Sequence, residues 1–332
     1  YWGFEPSGGM HIGTALVCGG KVKDMVDAGC KFTIFLADWH AWINNKLGGD
    51  LDSIRLCGEY FKRCFTGLGI APDRVTYHVG SEIEGSLDYW EKVIRIGKLN
   101  STKRIRRALP IMGREMDTDE IETAALFYPC MQAADIFQLD LDIACAGIDQ
   151  RKAHIIARES AEKLQRKKPV SLHTPLLMSL FGGSQYYSRT ANIGALDENL
   201  RFDFEIGSKM AKSLPGSAIL VHDKPEDIHE KIRSAYCPPK DTQDNPVLDI
   251  ARLIILPQMG GLEVERPAKY GGDVRFEEFE DVKNAYSLGQ LHPQDLKESV
   301  ATSLSDRLEG VREELAKDPE LLKRILAMEI TR

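Results

Sequence analysis

Two hydrophobic periods alternate along the first half of this chain. "YWGF" and "KFTIFLAD" are apolar runs of strand length, while the stretch from about Gly13 to Ala28 repeats its apolar residues at helical spacing. "DLDSIRLCGEYFKRCFTGLGI" does the same, with Ile54, Cys57, Phe61, Cys64, Phe65 and Leu68 along one side. "RVTYHVGS" reads as a third strand and "LDIACAG" as a fourth, followed by the helical "DQRKAHIIARESAEKLQ". Strands and helices in alternation imply a parallel sheet covered on both faces, an α/β domain of Rossmann-like type. After about Pro175 the pattern changes. "FGGSQYYSRTANIGALDEN" has the composition of a loop, and from "PEDIHEKIRSAY" to the end the periodicity is mostly helical. The expected organisation is therefore a Rossmann-like domain over residues 1–206, a loop over 207–220 and a smaller, mostly helical domain over 221–332.

Composition narrows the classes. The 332 residues suffice for two cores, and no apolar run approaches the ~20 residues that span a bilayer, so a soluble protein is expected. Seven cysteines, an odd number with no CxxC pair, suggest neither a disulfide framework nor a zinc site; reduced thiols, a cytoplasmic location and no protein-held metal follow as expectations. No secretory signal is visible, and because the first strand begins at Tyr1 itself, a natural N-terminus further upstream is expected. The net charge of −7 argues against nucleic-acid binding through the overall field. A local patch exists nonetheless: "RIGKLNSTKRIRRALPIMGRE" gathers Arg95, Lys98, Lys103, Arg104, Arg106, Arg107 and Arg114.

The chemistry concentrates first at "GFEPSGGMHIGT", where a glycine-rich loop leaves a strand and enters a helix. Such places bind anions, because free N–H groups and the helix dipole meet there. His11 can donate to a phosphate oxygen, and Gly13 leaves room for a flat base. A histidine in a first helical turn also simply satisfies backbone groups, and the local pattern leaves both readings open. The stretch is neither GxGxxG nor GxxxxGK[ST]. Far downstream, "KMAKS" sets Lys209 and Lys212 on a loop flanked by glycine and proline, suited to negative charge that appears only transiently.

Together, "HIGT" and "KMAKS" resemble the HIGH and KMSKS signatures of class I aminoacyl-tRNA synthetases, and their order along the chain fits. "YWGFEPSG", "LADWHAWIN", "YPCMQAADI", "GIDQRKAHIIARE", "AYCPP", "RPAKYGGD" and "LHPQDLK" resemble the tyrosyl-tRNA synthetases of archaeal and eukaryotic-cytoplasmic type, from Tyr1 to about Leu308. The resemblance implies activation of L-tyrosine by ATP, with Mg2+ accompanying the nucleotide, followed by transfer to tRNA(Tyr). It assigns His11, Thr14, Lys209, Lys212 and Ser213 to catalysis, and His11, Gly13, Gly147, Asp149, Met210 and Lys212 to ATP. Tyr1 and Asp135 would hold the phenolic hydroxyl, and Glu5, Tyr128, Gln132 and Gln150 the amino and carboxylate groups. Arg114 and Arg151 would meet the acceptor stem, and Tyr270, His292 and Asp295 the anticodon. The region of about residues 85–130 would pack at a homodimer interface.

The residues weigh for and against parts of this. Tyr128, Gln132 and Asp135 are spaced four and three apart, on one helical face. A carboxylate in a first helical turn, such as Asp295 after Pro293, is favoured by the dipole whatever else it does. His40 in "DWHAW" either lines the pocket floor or packs among Trp39 and Trp42, and packing is the expectation. Thr14 stands where HIGH has its second histidine and Ala211 where KMSKS has its serine; the segment Tyr186–Glu205 matches nothing usable. A tryptophanyl-tRNA synthetase shares the fold and motifs, and a non-catalytic RNA-binding paralogue would share the fold; Asp135 with Tyr1 speaks against the first, and the two lysines with His11 against the second.

Overall fold

The computed structural model describes residues 1–113, 121–183, 204, 206–211 and 216–328. Strands β1 (Trp2–Phe4), β2 (Phe32–Leu36), β3 (Val75–Val79), β4 (Ile143–Gly147) and β5 (Val170–Thr174) form one sheet in the order β3-β2-β1-β4-β5. All of its pairings are parallel. The fifth strand, "VSLHT", is an addition to the four expected. It lies at the sheet edge with an exposed and half-buried pattern, so its sequence alternates instead of forming the continuous apolar run of a buried parallel strand.

Helices α1 (Gly19–Asp27) and α3 (Leu51–Gly67) serve one face, and α5 (Leu87–Leu99), α7 (Thr123–Gln138) and α8 (Arg151–Ser160) the other. Side chains of a strand alternate between faces, and β1 divides accordingly. Trp2 and Phe4 stack at 5.8 Å and enter the larger core with Phe61 and Phe65 of α3, whereas Tyr1 enters the second core with Met131, Ala133 and Ala134 of α7. The expected helix from Gly13 to Ala28 begins as a wider π-type turn, Gly13–Cys18, with Gly19 N–H reaching back to the Thr14 carbonyl. The helix after β4 stops at Ser160, short of the expected Gln165, which adopts a left-handed φ of 53°.

The chain winds β1, β2, β3 outward on one side and returns to place β4 on the other side of β1. Loops leaving the carboxyl ends of β1 and β4 therefore diverge and leave a crevice between them, where ligands of such sheets bind. Glu5 leaves β1 there, and the turn Ile148–Gln150 leaves β4.

The C-terminal part is helical apart from a small antiparallel pair, Leu262–Val264 with Val274–Phe276. Its long helix Pro293–Ala316 crosses α3 where two glycines meet: a Cβ on Gly67 would stand 2.5 Å from Val311 Cα and 2.7 Å from the Gly310 carbonyl. Only hydrogen at both positions allows the backbones to approach so closely. Arg63 of α3 adds ion pairs to Glu314 at 3.2 Å and Asp318 at 3.5 Å, and the larger core runs without a break from Trp2 to Ile325. Among the described residues no helix is long and apolar enough to cross a membrane.

Candidate active site

The floor of the crevice is set by the alternation along β1. Tyr1, Gly3 and Glu5 share the face opposite Trp2 and Phe4, and Gly3 stays exposed between buried neighbours. A Cβ there would lie 3.6 Å from Phe35 and 3.7 Å from the Tyr1 ring, so the glycine keeps open a slot that any side chain would narrow. Gly3 was not singled out in the sequence; a glycine inside a strand, the mark of a close approach, was the available signal.

Helix α7 forms the wall. Tyr128, Gln132 and Asp135 lie along it as their spacing implies. Asp135 is 1% exposed, and its Oδ1 accepts the Tyr89 hydroxyl at 2.7 Å. Burial, reinforced by the Asp135 charge, pushes the Tyr1 and Tyr89 phenols well above the ordinary tyrosine range, so both stay neutral hydrogen-bond donors. His40 departs from the apolar packing expected of it. Its Nδ1 lies 3.0 Å from Glu84 Oε1 and its Nε2 3.5 Å from Asp135 Oδ2, while its ring edge meets Tyr128 at 4.7 Å between centroids. Sequence reasoning placed it among tryptophans because its immediate neighbours are; the carboxylates reach it from α4 (Gly80–Glu84) and α7, far along the chain.

At the other end Glu5 is held by two donors, Tyr128 Oη at 2.5 Å and Asn44 Nδ2 at 3.1 Å. Asn44 also donates to the Met112 carbonyl at 2.8 Å. Gln150 donates to the Ile111 carbonyl at 2.8 Å and accepts from Gln132 Nε2 at 3.3 Å. That orientation leaves Gln132 Oε1 a buried acceptor with no hydrogen-bond donor among the described residues. Glu5 is held by Tyr128 and Gln132 follows one helical turn on, and a carboxylate with an amide oxygen suits an ammonium group. Asn44 was missed by sequence reasoning, since it carries no motif and acts only by where helix α2 (Asp38–Ile43) ends.

The phosphate-type loop lies beside this cleft. His11 Nδ1 accepts the backbone N–H groups of Gly13 at 3.1 Å and Thr14 at 3.4 Å, so the ring proton sits on Nε2, 3.3 Å from Thr14 Oγ1. The backbone reading of His11 is what these contacts show, with the second nitrogen turned to the Thr14 hydroxyl. A Cβ on Gly13 would stand 3.0 Å from His11 Cε1 and Nδ1, so the glycine gives the imidazole its room.

The segment that follows the second motif pairs with the first motif through the backbone. Ile12 N–H donates to the Ile219 carbonyl and Val221 N–H to that of Met10, which brings residues about two hundred apart into pairing. Lys209 reaches Asp149 with Nζ to Oδ2 at 2.7 Å. A Cβ on Gly147 would meet Asp149 Oδ1 at 2.6 Å, so glycine is what lets the carboxylate turn there. Met210 is 3% exposed in the larger core, with its N–H bound to the Leu177 carbonyl, and anchors the loop with its side chain. Lys212, Ser213 and Arg114 lie outside the described residues, as does the segment Tyr186–Glu205 apart from Phe204.

Two groups lie away from this cleft. Arg151 starts α8 and is exposed, as are Lys103, Arg106 and Arg107 of α6 (Thr102–Ala108), whereas Arg104 pairs with Glu159 at 2.5 Å and Arg95 with Glu91 at 2.6 Å. In the C-terminal part Tyr270 is 62% exposed under the Lys269 ammonium, 4.8 Å from its ring centre. Arg266 donates to the Gln290 carbonyl at 2.7 Å and thereby ties the Tyr270 turn to the start of the helix Pro293–Ala316. His292 is the cap of that helix, its Nδ1 accepting Gln294 N–H at 3.2 Å, and Asp295 lies in the first turn.

Comparison with known proteins adds the following. The model of the family "tRNA synthetases class I (W and Y)" matches residues 1–197 and 203–309. The tyrosine–tRNA ligase of Aeropyrum pernix is 47% identical over 330 residues, covering 99% of this chain and 88% of that protein. The crystal structure of tyrosyl-tRNA synthetase from Pyrococcus horikoshii complexed with L-tyrosine superposes with a TM-score of 0.88 at 40% identity, covering 99% of this chain and 90% of that one. Tryptophanyl-tRNA synthetase from Campylobacter jejuni shares the fold at a TM-score of 0.62 and 20% identity over 98% of this chain and 91% of that one.

Proposed function

This chain belongs to the class I tRNA synthetases of the tryptophan and tyrosine family, and from that membership together with its site we propose how it works. It is a ligase that joins tyrosine to tRNA with ATP. The tyrosine carboxylate attacks the α-phosphate of ATP, pyrophosphate departs, and tyrosyl-adenylate remains. A terminal ribose hydroxyl of tRNA(Tyr) then attacks the activated carbonyl and releases AMP.

The observation that carries the tyrosine assignment is the buried Asp135 carboxylate at one end of the slot, with Glu5 and the open Gln132 oxygen at the other. Asp135 accepts the substrate's phenolic O–H with Tyr1 beside it, and Gly3 gives the ring its space. Glu5, Tyr128, Gln132 and Gln150 hold the ammonium and carboxylate. His11 Nε2–H and Thr14 Oγ1 steady the phosphates at the loop, and Lys209, Lys212 and Ser213 act on the pyrophosphate side. Asp149, beside Gly147 and ion-paired to Lys209 at 2.7 Å, accepts from the ATP ribose once Lys209 is drawn to the phosphates. Mg2+ accompanying ATP would be held by the phosphates beside Lys209 and Lys212 and would offset part of their charge. No covalent nucleophile is needed: catalysis is positioning and stabilisation of charge in flight. Amino-acid-dependent exchange of pyrophosphate into ATP tests the reading. Tyrosine is expected to support exchange where tryptophan and phenylalanine, at equal concentrations, do not; exchange driven equally by tryptophan would overturn it.

The tRNA spans both parts of the chain. Exposed Lys103, Arg106, Arg107 and Arg151, with Arg114, take the acceptor stem, and the rigid glycine crossing of α3 with the long helix fixes the distance to the anticodon end. There Tyr270 stacks on an unpaired base, and Asp295 and His292 meet a base edge. Asp295→Ala is expected to impair aminoacylation of tRNA(Tyr), and to impair it less for a transcript with an altered first anticodon base, while pyrophosphate exchange stays near normal. Equal loss in both half-reactions with a lower melting temperature would reduce Asp295 to a residue of the helix start. A homodimer is supported by the apolar surface of α5, where Leu87 is 91% and Ile94 60% exposed, beside Trp90 packed edge-on against the half-exposed Phe127. The enzyme works in the cytoplasm, where its tRNA is charged.

A further inference from the structure

We propose that His40 is a positioning residue for tyrosine recognition: as an imidazolium held between Glu84 and Asp135, it offsets the burial that drives a proton onto Asp135 and keeps that carboxyl aimed at the substrate's hydroxyl. The proposal rests on the assignment of Asp135 to that hydroxyl.

The geometry is that of a bridge. The two ring nitrogens of His40 face two different carboxylates, Glu84 at 3.0 Å and Asp135 at 3.5 Å, and all three residues are buried. Among the described residues this group brings His, Glu and Asp ligand atoms within 4.8 Å of one another, yet a cation there would draw on only one ring nitrogen. The contacts are ion pairs and not hydrogen bonds, since among the described residues neither ring nitrogen and neither Glu84 oxygen has a hydrogen-bond partner, so an imidazolium would answer both carboxylates by its charge. Glu84 is itself held in place, because Asp38 clamps the start of its helix: Asp38 accepts Ser81 N–H at 2.7 Å and Ser81 Oγ–H at 2.6 Å, with Arg55 at 3.3 Å. Gly80 completes the clamp, since a Cβ there would fall 2.9 Å from Asp38 Oδ1 and 3.1 Å from Glu84 Oε2.

The electrostatics agree with the bridge. Burial opposes a charged His40, but Asp135, Glu84 and, from the loop after β1, Glu5 together raise its pKa to about 9. For Asp135 the order is burial, which raises its carboxyl far above the ordinary range, then His40, which pulls it back, then Glu84, which raises it again. Around them Tyr1, Tyr89 and Tyr128 contribute neutral phenols. One cation therefore serves two buried carboxylates. Asp135 first and Glu84 second keep the imidazole protonated, the imidazole limits how much proton Asp135 takes up, and Glu84 opposes it there. Without His40 the Asp135 carboxyl would be neutral up to higher pH and would offer the phenolic O–H a weaker, uncharged acceptor.

Tyrosine KM and kcat in pyrophosphate exchange, measured from pH 6 to 9, test this. In the unaltered enzyme the KM for tyrosine is expected to rise as pH falls through the protonation of Asp135. His40→Gln should shift that rise to higher pH by about one unit or more and increase KM roughly tenfold near neutrality, with kcat and the KM for ATP little changed. Glu84→Gln should shift it to lower pH, because a competing negative charge is gone. The opposite signs are what a merely structural role would not produce, and Glu84→Gln carries the test alone should His40→Gln fail to fold. Shifts absent in both variants, or equal effects on tyrosine and ATP, would overturn the proposal. Asp135→Asn separates the premise from the inference: if it leaves selectivity for tyrosine over phenylalanine intact, the hydroxyl assignment itself falls; if it abolishes selectivity while His40→Gln and Glu84→Gln shift nothing, only the role of His40 falls.

Discussion

Asp135→Ala is expected to remove most of the discrimination between tyrosine and phenylalanine. A buried site built to accept an O–H rejects a substrate that lacks one, because its own polar groups are then left unmatched. In the variant that penalty vanishes for phenylalanine, while tyrosine gains a buried hydroxyl with too few partners, at roughly 1 to 3 kcal/mol. The kcat/KM for tyrosine should fall about 10- to 100-fold and that for phenylalanine should hold or rise. Tyr89, which donates to Asp135 at 2.7 Å, also loses its acceptor, so some stability is lost as well. The ratio of the two substrates in pyrophosphate exchange is independent of that loss, and an unchanged ratio would refute the role of Asp135.

His11→Ala should lower the rate of adenylate formation by roughly 10²- to 10³-fold with little effect on the KM for tyrosine, the pattern of a donor that acts where charge develops. The tautomer supplies the reason. Because Nδ1 accepts two backbone N–H groups, the donor at Nε2 is fixed without cost at the moment of reaction. Alanine also uncaps the turn, worth about 1 kcal/mol. His11→Asn restores an acceptor near those N–H groups but not the donor, so it should recover the melting temperature and leave single-turnover rates low. Recovery of the rate with asparagine would make His11 a capping residue alone.

Much of this molecule follows from local pattern. Strands β1, β2 and β4 announced themselves as apolar runs, because a strand covered on both faces has no polar side to show; both edge strands alternate, and of these Val75–Val79 was legible and Val170–Thr174 was not. The two motifs were legible from residue types that phosphate chemistry requires, and the spacing of Tyr128, Gln132 and Asp135 placed them on one side of a helix before its position was known. Family resemblance supplied the amino acid.

What the sequence by itself determined, then, is the order of elements, the helical faces and the kinds of chemistry available, all of which depend on neighbours a few residues apart. Only the tertiary structure decided which side chains answer one another. Asn44 reaching Glu5, Lys209 reaching Asp149, Gly67 meeting Gly310, and above all His40 between Glu84 and Asp135 are contacts across tens to hundreds of residues. The physical reason is that charge state and hydrogen bonding inside a protein depend on burial and on what stands within about 4 Å, and neither is encoded by position along the chain. A histidine flanked by tryptophans reads as packing until two carboxylates from other helices close on it.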